Sequence, residues 1–384
     1  MHSLDTFAQE KLDDLERRSL RRGLTDTLRE DGIWVERGGK RLLSFSCNDY
    51  LNLTQHSAIK QAAKAAIDRY GAGSGASRLV TGNHPLYAEL EQRLAQLKES
   101  EAAVVFGSGY LANAGIIPVL IGPDGLVVID ELAHACLFSG SQLSRGKVLT
   151  FRHNDVGHAR ELLATHRAAH DHALVVTDGV FSMDGDLAPL DDLLTLANAH
   201  DAWLMSDDAH GIGVVGGGRG SSFIGNTHVP VPLQMGTLSK AIGAYGGYLC
   251  ASAPVIELMR NRARTLIYST GLPPSAVAAS IAALDLIERE PDYAAMPVMK
   301  AKAFTARIGL PDAQSPIVPI IIGEADAALD ASRLLMDEGF LAAAIRPPSV
   351  PDGTARLRLT FTAQHPMAEI ERLADIVRER IMVD

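Results

Sequence analysis

Lys240 stands in the stretch Gly236-Thr237-Leu238-Ser239-Lys240-Ala241-Ile242-Gly243, a single lysine bracketed by glycines. A lysine can act as a covalent catch for a carbonyl when it is held against a cofactor with its ammonium charge partly suppressed. Small neighbours then let a bulky ring approach the backbone. The same stretch also describes a surface lysine in a glycine-rich turn, so the case for chemistry rests on what else the chain brings to it.

Four apolar runs lead into polar residues of catalytic type. Residues 126–129 run into Asp130-Glu131-Leu132-Ala133-His134, residues 174–176 into Asp178 and on to Ser182, residues 202–205 into Asp207-Asp208-Ala209-His210, and residues 232–235 into the Lys240 stretch. In open α/β sheets a ligand lies beyond the carboxyl ends of the strands, which would put all four endings in one pocket. A pyridine-ring aldehyde with a phosphate tail makes demands that this set can meet. Asp207 would sit under the ring nitrogen and keep it protonated, making the ring an electron sink. Asp208 is the rival, because adjacent residues of a strand point to opposite faces and only one can reach the ring. His210 would bond the ring's phenolic oxygen and His134 would stack on its face, although either histidine can equally be a satisfied structural one. Gly109, Tyr110 and Thr237 would hold the phosphate through backbone amides and hydroxyls.

These residues need an α/β frame to position them. From about residue 51 helical stretches separate short apolar strands. Leu86, Leu90, Leu94 and Leu97 fall on one helix face, and residues 102–106 form a strand that passes through Gly107-Ser108-Gly109-Tyr110 into a helix. That strand, turn and helix start form an anion-binding arrangement. Residues 246–251 add a strand and residues 275–290 a long helix. Beyond residue 291 the pattern is α+β: a strand over 317–322, a helix over 326–338, an alternating strand over 356–361 with Leu357, Leu359 and Phe361 inward, and a last helix with Ile370, Leu373, Val377 and Ile381 on one face. Residues 1–24 read as a charged amphipathic helix, followed by a Gly38-Gly39 turn and a strand over 42–46. The division expected is an arm over 1–50, a central cofactor-binding domain over 51–290 and a smaller α+β domain over 291–384.

Bulk properties narrow the classes. The chain has 384 residues, 47% of them hydrophobic and 21% charged, enough for a sizeable core. A formal charge of −10 argues against nucleic acid as a partner. No apolar run spans a bilayer and the amino terminus carries no apolar signal core, so a cytoplasmic protein without membrane attachment is expected. Cys47, Cys136 and Cys250 are isolated, which suggests reduced thiols and no metal site. The short basic cluster Arg17, Arg18, Arg21 and Arg22 fits a solvated helix face.

Taken together, Thr237 to Gly243, Asp207-Asp208-Ala209-His210-Gly211 and Asp184-Gly185-Asp186 resemble the α-oxoamine synthases, pyridoxal-phosphate enzymes of the fold-type I class, over essentially the whole chain. The resemblance implies a central, mostly parallel sheet flanked by helices and the condensation of an amino acid with an acyl thioester, with release of carbon dioxide. Ala344-Ile345-Arg346-Pro347-Pro348-Ser349-Val350-Pro351 and the following Gly353 to Arg358 are similar to the members that join L-alanine to pimeloyl-CoA or a pimeloyl-acyl carrier protein in biotin biosynthesis. Three prolines there fix the backbone, and a preset arginine can hold a carboxylate through two parallel bonds, so Arg346 would grip the amino-acid carboxylate.

Carried over by position, Lys240 would bind pyridoxal phosphate as a Schiff base and remove the α-proton. Ser182 would join His210 at the phenolic oxygen, and Thr270 would reach the phosphate of a neighbouring subunit in a homodimer with shared sites. Asn48 and Arg21 would lie near the substrates, Arg21 toward the thioester carrier or the distal carboxylate. Asn52, Tyr87 and Asp178 depart from the family's usual glycine, histidine and glutamate, and Asp178 receives no role. Three rivals remain: condensation of glycine with acetyl-CoA, an aminotransferase on the same fold, and a catalytically silent relative, against which Lys240, Asp207 and His210 all stand.

Overall fold

The computed structural model describes residues 2–225 and 227–382. Its centre is a seven-stranded sheet in the order Ala102–Phe106, Gly247–Ala251, Leu233–Thr237, Trp203–Asp207, Ala173–Asp178, Leu126–Asp130 and Lys147–Phe151. The last five run parallel, and Gly247–Ala251 is antiparallel to both its neighbours. The parallel strands Leu126–Asp130, Ala173–Asp178 and Leu233–Thr237 are buried throughout, as unbroken apolar runs covered by helices on both faces must be. One face packs against the helices Gly109–Leu120 and Ala253–Arg262 through Ile116, Ile117, Ile256 and Met259. On another, the predicted helix face is realised by Leu90, Leu94 and Leu97, packed with Val277, Leu284 and Ile287 of Pro274–Arg289.

The polar endings converge because parallel strands place equivalent ends together. Asp178 is in register with Asp207, and Asp207 with Met235. The strands therefore deliver Asp130, Asp178, Asp207 and Thr237 to one edge of the sheet.

A second core surrounds the three-stranded antiparallel sheet Ile317–Gly323, Ala355–Thr360 and Ala343–Ile345, with Leu357, Leu359 and Phe361 inward as the alternation predicts. The amino-terminal helix is shorter than the sequence suggests, ending at Arg17. A hairpin of Thr27–Asp31 and Trp34–Arg37 follows, where the sequence reading placed no strand. Its next strand, Lys40–Ser44, pairs in parallel with Phe340–Leu341. The arm thus shares a sheet with the carboxy-terminal region, and buried His365 fastens it by bonding the Ser44 carbonyl at 3.0 Å. Helix Pro291–Ile308, which the sequence reading passed over, supplies Phe304 to the same core.

Candidate active site

A chamber of about 220 Å³ lies at the carboxyl edge of the sheet and brings together Gly109, Tyr110, His134, Ser182, Asp207, His210, Thr237 and Lys240. All the cofactor residues expected from the sequence are there except Thr270. Lys240 sits in the turn after Leu233–Thr237, closed by the Gly243 amide on the Lys240 carbonyl at 2.8 Å. Gly243 has φ +71°, and a Cβ there would come within 2.8 Å of the Thr54 nitrogen, so only glycine lets this turn close. Lys240 Nζ has no hydrogen-bond or ion-pair partner among the described residues. Burial pushes its ammonium down to about 8, opposed by the pull of Asp207 and Asp178 and assisted by Arg358.

The two adjacent carboxylates have separate fates. Asp207 faces the chamber, with Oδ2 accepting from Asn113 Nδ2 at 2.7 Å and Oδ1 from the Ala209 amide at 3.0 Å. Both donors are neutral, so its charge stays available. Asp208 points the other way, to the wholly buried Lys98 ammonium at 2.8 Å and the Ser221 amide at 3.0 Å. Of the two, only Asp207 lines the chamber, as alternation along the strand requires. Asn113 escaped the sequence reading, although its place four residues into the helix that Gly109 begins puts it over the same strand end.

The histidines are fixed as neutral rings. His134 caps the helix Ala135–Ser144, its Nδ1 accepting from the Cys136 amide at 3.2 Å, which leaves the proton on Nε2. Burial lowers its pKa, and that of His210 falls well below the ordinary value for the same reason, with Lys240 and Arg358 adding repulsion. Tyr50, whose burial raises its pKa, holds its phenolic proton, and its oxygen lies 2.7 Å from His210 Nδ1. Arg358 donates to that oxygen at 3.4 Å, and of the phenol's two acceptors Nδ1 at 2.7 Å is nearer than Asn48 Oδ1 at 3.4 Å, so the phenolic proton is assigned to Nδ1 and His210 presents Nε2–H.

Asp178, left without a role by sequence, lines the chamber and accepts the His134 amide on Oδ2 at 2.9 Å. Burial first, and then Asp207, raises its pKa well above the usual carboxylate range. The sequence departure at this position therefore touches the core set after all.

At the other end of the chamber, Gly109 begins the helix Gly109–Leu120, which Ser108 caps by accepting the Leu111 amide at 3.2 Å. A Cβ on Gly109 would stand 3.3 Å from Met235 Cε and 3.4 Å from Thr237 Cβ, so glycine keeps this cradle open. Thr237 Oγ1 lies 2.8 Å from Ser239 Oγ and donates to the Gly246 carbonyl at 2.7 Å. Tyr110 is exposed and donates its hydroxyl to Ser139 Oγ at 3.0 Å.

Arg358 is the residue that sequence reasoning missed. Arg358 is 6% exposed, and its guanidinium donates to Asn48 Oδ1 at 3.0 Å, to the Tyr50 hydroxyl and to the Ser182 carbonyl, with no carboxylate partner among the described residues. Its neighbour on that face, Arg356, is paired with Asp184. The alternation of the strand was read for its leucines, while the opposite face, buried as well, carried the signal.

Arg346 and Arg21 do not enter the chamber. Arg346 donates to the Ser19 carbonyl, and both arginines line a separate cleft of about 470 Å³. Thr270 is exposed and forms an antiparallel bridge with Ser77. A vestibule of about 710 Å³ shares His134 and Ser182 with the chamber and reaches out past Phe138, Met183 and Pro347 to Leu15, Arg18 and Leu20.

A mostly parallel α/β sheet that presents an unpaired lysine and an unneutralised aspartate at its carboxyl edge defines a class. The chain belongs to the aminotransferase class I and II family, whose model matches residues 40–377. It is 67% identical to 8-amino-7-oxononanoate synthase of Methylocella silvestris over 90% of this chain and 98% of that one. To the enzyme of the same name from Beijerinckia indica subsp. indica it is 62% identical over 98% of both. Among solved structures it resembles serine palmitoyltransferase from S. paucimobilis with a bound PLP-myriocin aldimine, at TM-score 0.91 and 27% identity, with 98% of each chain covered. The fold-type I architecture expected from the sequence is borne out. No helix among the described residues is long and apolar enough to cross a membrane.

Proposed function

We propose that the protein is a pyridoxal-phosphate enzyme that condenses L-alanine with a pimeloyl thioester, giving 8-amino-7-oxononanoate, the free thiol and carbon dioxide in biotin biosynthesis. The observation that carries this is Lys240, whose amine has no partner among the described residues, lines one chamber with the acid Asp207 and feels the charges of both Asp207 and Arg358. The names of the relatives direct it to this pair of substrates. The chamber fits the cofactor on its donor set: an acid without a cation for the ring nitrogen, Nε2–H of His210 with Ser182 for the phenolic oxygen, the His134 ring for its face, and the cradle of Gly109, Tyr110 and Thr237 for the phosphate. Thr270 would complete the phosphate site of a second copy in a homodimer.

When bound, pyridoxal phosphate supplies the electron-withdrawing ring that stabilises negative charge at the amino-acid Cα. The chain supplies the rest. Arg358 takes the alanine carboxylate, being a buried guanidinium with Asn48 and Tyr50 fixing its plane. Lys240 Nζ, with its pKa near 8, is in part unprotonated at neutral pH and accepts the proton from alanine Cα. After the acyl carbon joins Cα and the thiol departs, the carboxylate leaves as carbon dioxide, and the lysine returns a proton to that carbon. The strand ends hold the two histidines neutral, so they donate hydrogen bonds without competing for that proton. Arg346, outside the chamber, is assigned to the approach of the substrates. The acyl donor arrives on coenzyme A or on an acyl carrier protein, and the protein works in the cytoplasm.

The test supplies holoenzyme with alanine plus pimeloyl-CoA, glycine plus acetyl-CoA, or alanine plus a keto acid, following carbon dioxide and free thiol together. Alanine with pimeloyl-CoA should release both in equal amounts and faster than the glycine pair. Amino transfer to the keto acid without carbon dioxide would overturn the reading. Lys240→Ala should lose both turnover and the long-wavelength absorbance of Schiff-base cofactor.

A further inference from the structure

The chain carries a formal charge of −10, yet four arginines converge on one cleft. Arg21 and Arg22 come from the segment after the amino-terminal helix, Arg346 from the proline-rich turn and Arg333 from the helix Ala325–Asp337. Only Glu16 and Asp326 among the lining residues carry the opposite charge. The cleft is built: Arg346 donates to the Ser19 carbonyl and Arg22 Nη2 to Ser349 Oγ at 3.1 Å, pinning the two segments together. Its existing ion pairs are weak competitors. Arg21 meets Glu16 at 3.4 Å and Arg333 meets Asp330, all four side chains being about half exposed or more.

Position gives the cleft its meaning. Arg18 and Leu20 line the vestibule, while Ser19 and Arg21 line the cleft; Pro347 lines the vestibule and Arg346 the cleft. The two cavities share one wall, and the vestibule in turn shares His134 and Ser182 with the chamber of Lys240. A ligand using all three must place its reacting carbon at Lys240 and an anionic group far away, joined by a long flexible arm. An acyl thioester of phosphopantetheine has that layout.

We propose that the cleft of Arg21, Arg22, Arg333 and Arg346 binds the phosphate of a phosphopantetheine-type acyl carrier, with the arm lying in the vestibule. This rests on the reading of the enzyme as one that takes an acyl thioester. The same phosphate occurs in coenzyme A and on the prosthetic arm of an acyl carrier protein. Guanidinium groups suit it because their planar forks match phosphate oxygens in pairs.

The experiment is calorimetric binding to holoenzyme without alanine, using coenzyme A, 4′-phosphopantetheine, unphosphorylated pantetheine and a holo acyl carrier protein. Arg333→Gln and Arg21→Gln are compared with the wild type after matched melting curves. Each substitution should raise Kd for the phosphorylated probes by about tenfold, the scale of one lost charge-assisted contact, and weaken its dependence on salt. Pantetheine should bind weakly and alike in all three proteins. Tighter binding of the carrier protein than of coenzyme A would assign the source to the carrier, and the reverse order to the coenzyme. Unchanged Kd values for the phosphorylated probes, or an equal loss with pantetheine, would overturn the site. Since no turnover is needed, that failure is distinct from a wild type that binds coenzyme A yet makes no product, which would sink the proposed reaction instead.

Discussion

Asp207 and Asp208 are adjacent in sequence and opposite in consequence, which makes a paired substitution the sharpest test of the site. Asp208→Asn leaves the Lys98 ammonium, wholly buried, with a neutral amide and the Arg219 carbonyl at 2.7 Å as its remaining partners. Removing one member of a buried pair costs about 3–5 kcal/mol. The retained carbonyl, together with an amide oxygen that can still accept from Ser221, places this case at the lower end, about 3 kcal/mol. Asp207→Asn removes a charge that has no ion-pair partner among the described residues, though Lys240 feels it, and whose hydrogen-bond partners, Asn113 and the Ala209 amide, are neutral. We predict a change of about 1 kcal/mol or less, the scale of one neutral hydrogen bond rearranged. Function should invert that order. Asp207→Asn should lose turnover and weaken retention of the cofactor, while the Asp208 variant, where folded, keeps the chamber's acid. Urea unfolding of both apoproteins at pH 7, with cofactor titrations on the same preparations, measures both effects. If Asp207→Asn destabilised as strongly as Asp208→Asn, or if the Asp208 variant proved stable but unable to hold cofactor, the assignment of the two faces would be refuted.

Two predictions concern protons. With Lys240 near 8, the apoprotein's reaction with an amine-directed aldehyde at that residue should rise with pH around a midpoint near 8, and Asp207→Asn should move the midpoint down, because Asp207 is the largest charge raising this pKa. A midpoint near the ordinary lysine value would show that Lys240 is solvated. Burial pushes His365 down to about 3, so the native state refuses a proton that the unfolded chain accepts below about 6.5. Its contribution therefore costs stability as pH falls through that window, by up to about 1.4 kcal/mol per unit. Unfolding measured from pH 7 to 5 should show a shallower slope in His365→Gln than in the wild type; parallel slopes would mean that this ring titrates normally in the fold.

What could be read from sequence follows from which interactions are local. The sheet strands are apolar runs whose ends carry Asp178, Asp207 and Lys240, and parallel pairing alone brings such ends together, so most of the chamber was legible before any coordinates. Glycine at 243 marked a turn that no other residue fits, and glycine at 109 a close approach to Met235 and Thr237. The choice between Asp207 and Asp208 needed Lys98, more than a hundred positions away, whose ammonium no local pattern assigns to either face. Arg358 and Arg346 differ in the same way. A proline-rich turn made Arg346 look preset for a carboxylate, but its carbonyl partner at Ser19 belongs to the arm, and the arm's path is decided by the parallel pairing of Lys40–Ser44 with Phe340–Leu341. Arg358 sits on a strand buried on both faces, where alternation sorts leucine from arginine without telling whether the arginine meets water or a site. Its burial is tolerable because Asn48, Tyr50 and Ser182 satisfy its donors while leaving its charge unmet. A buried cation kept without an anion is costly unless an anion arrives, and this is the ground on which Arg358 is proposed to take the substrate carboxylate.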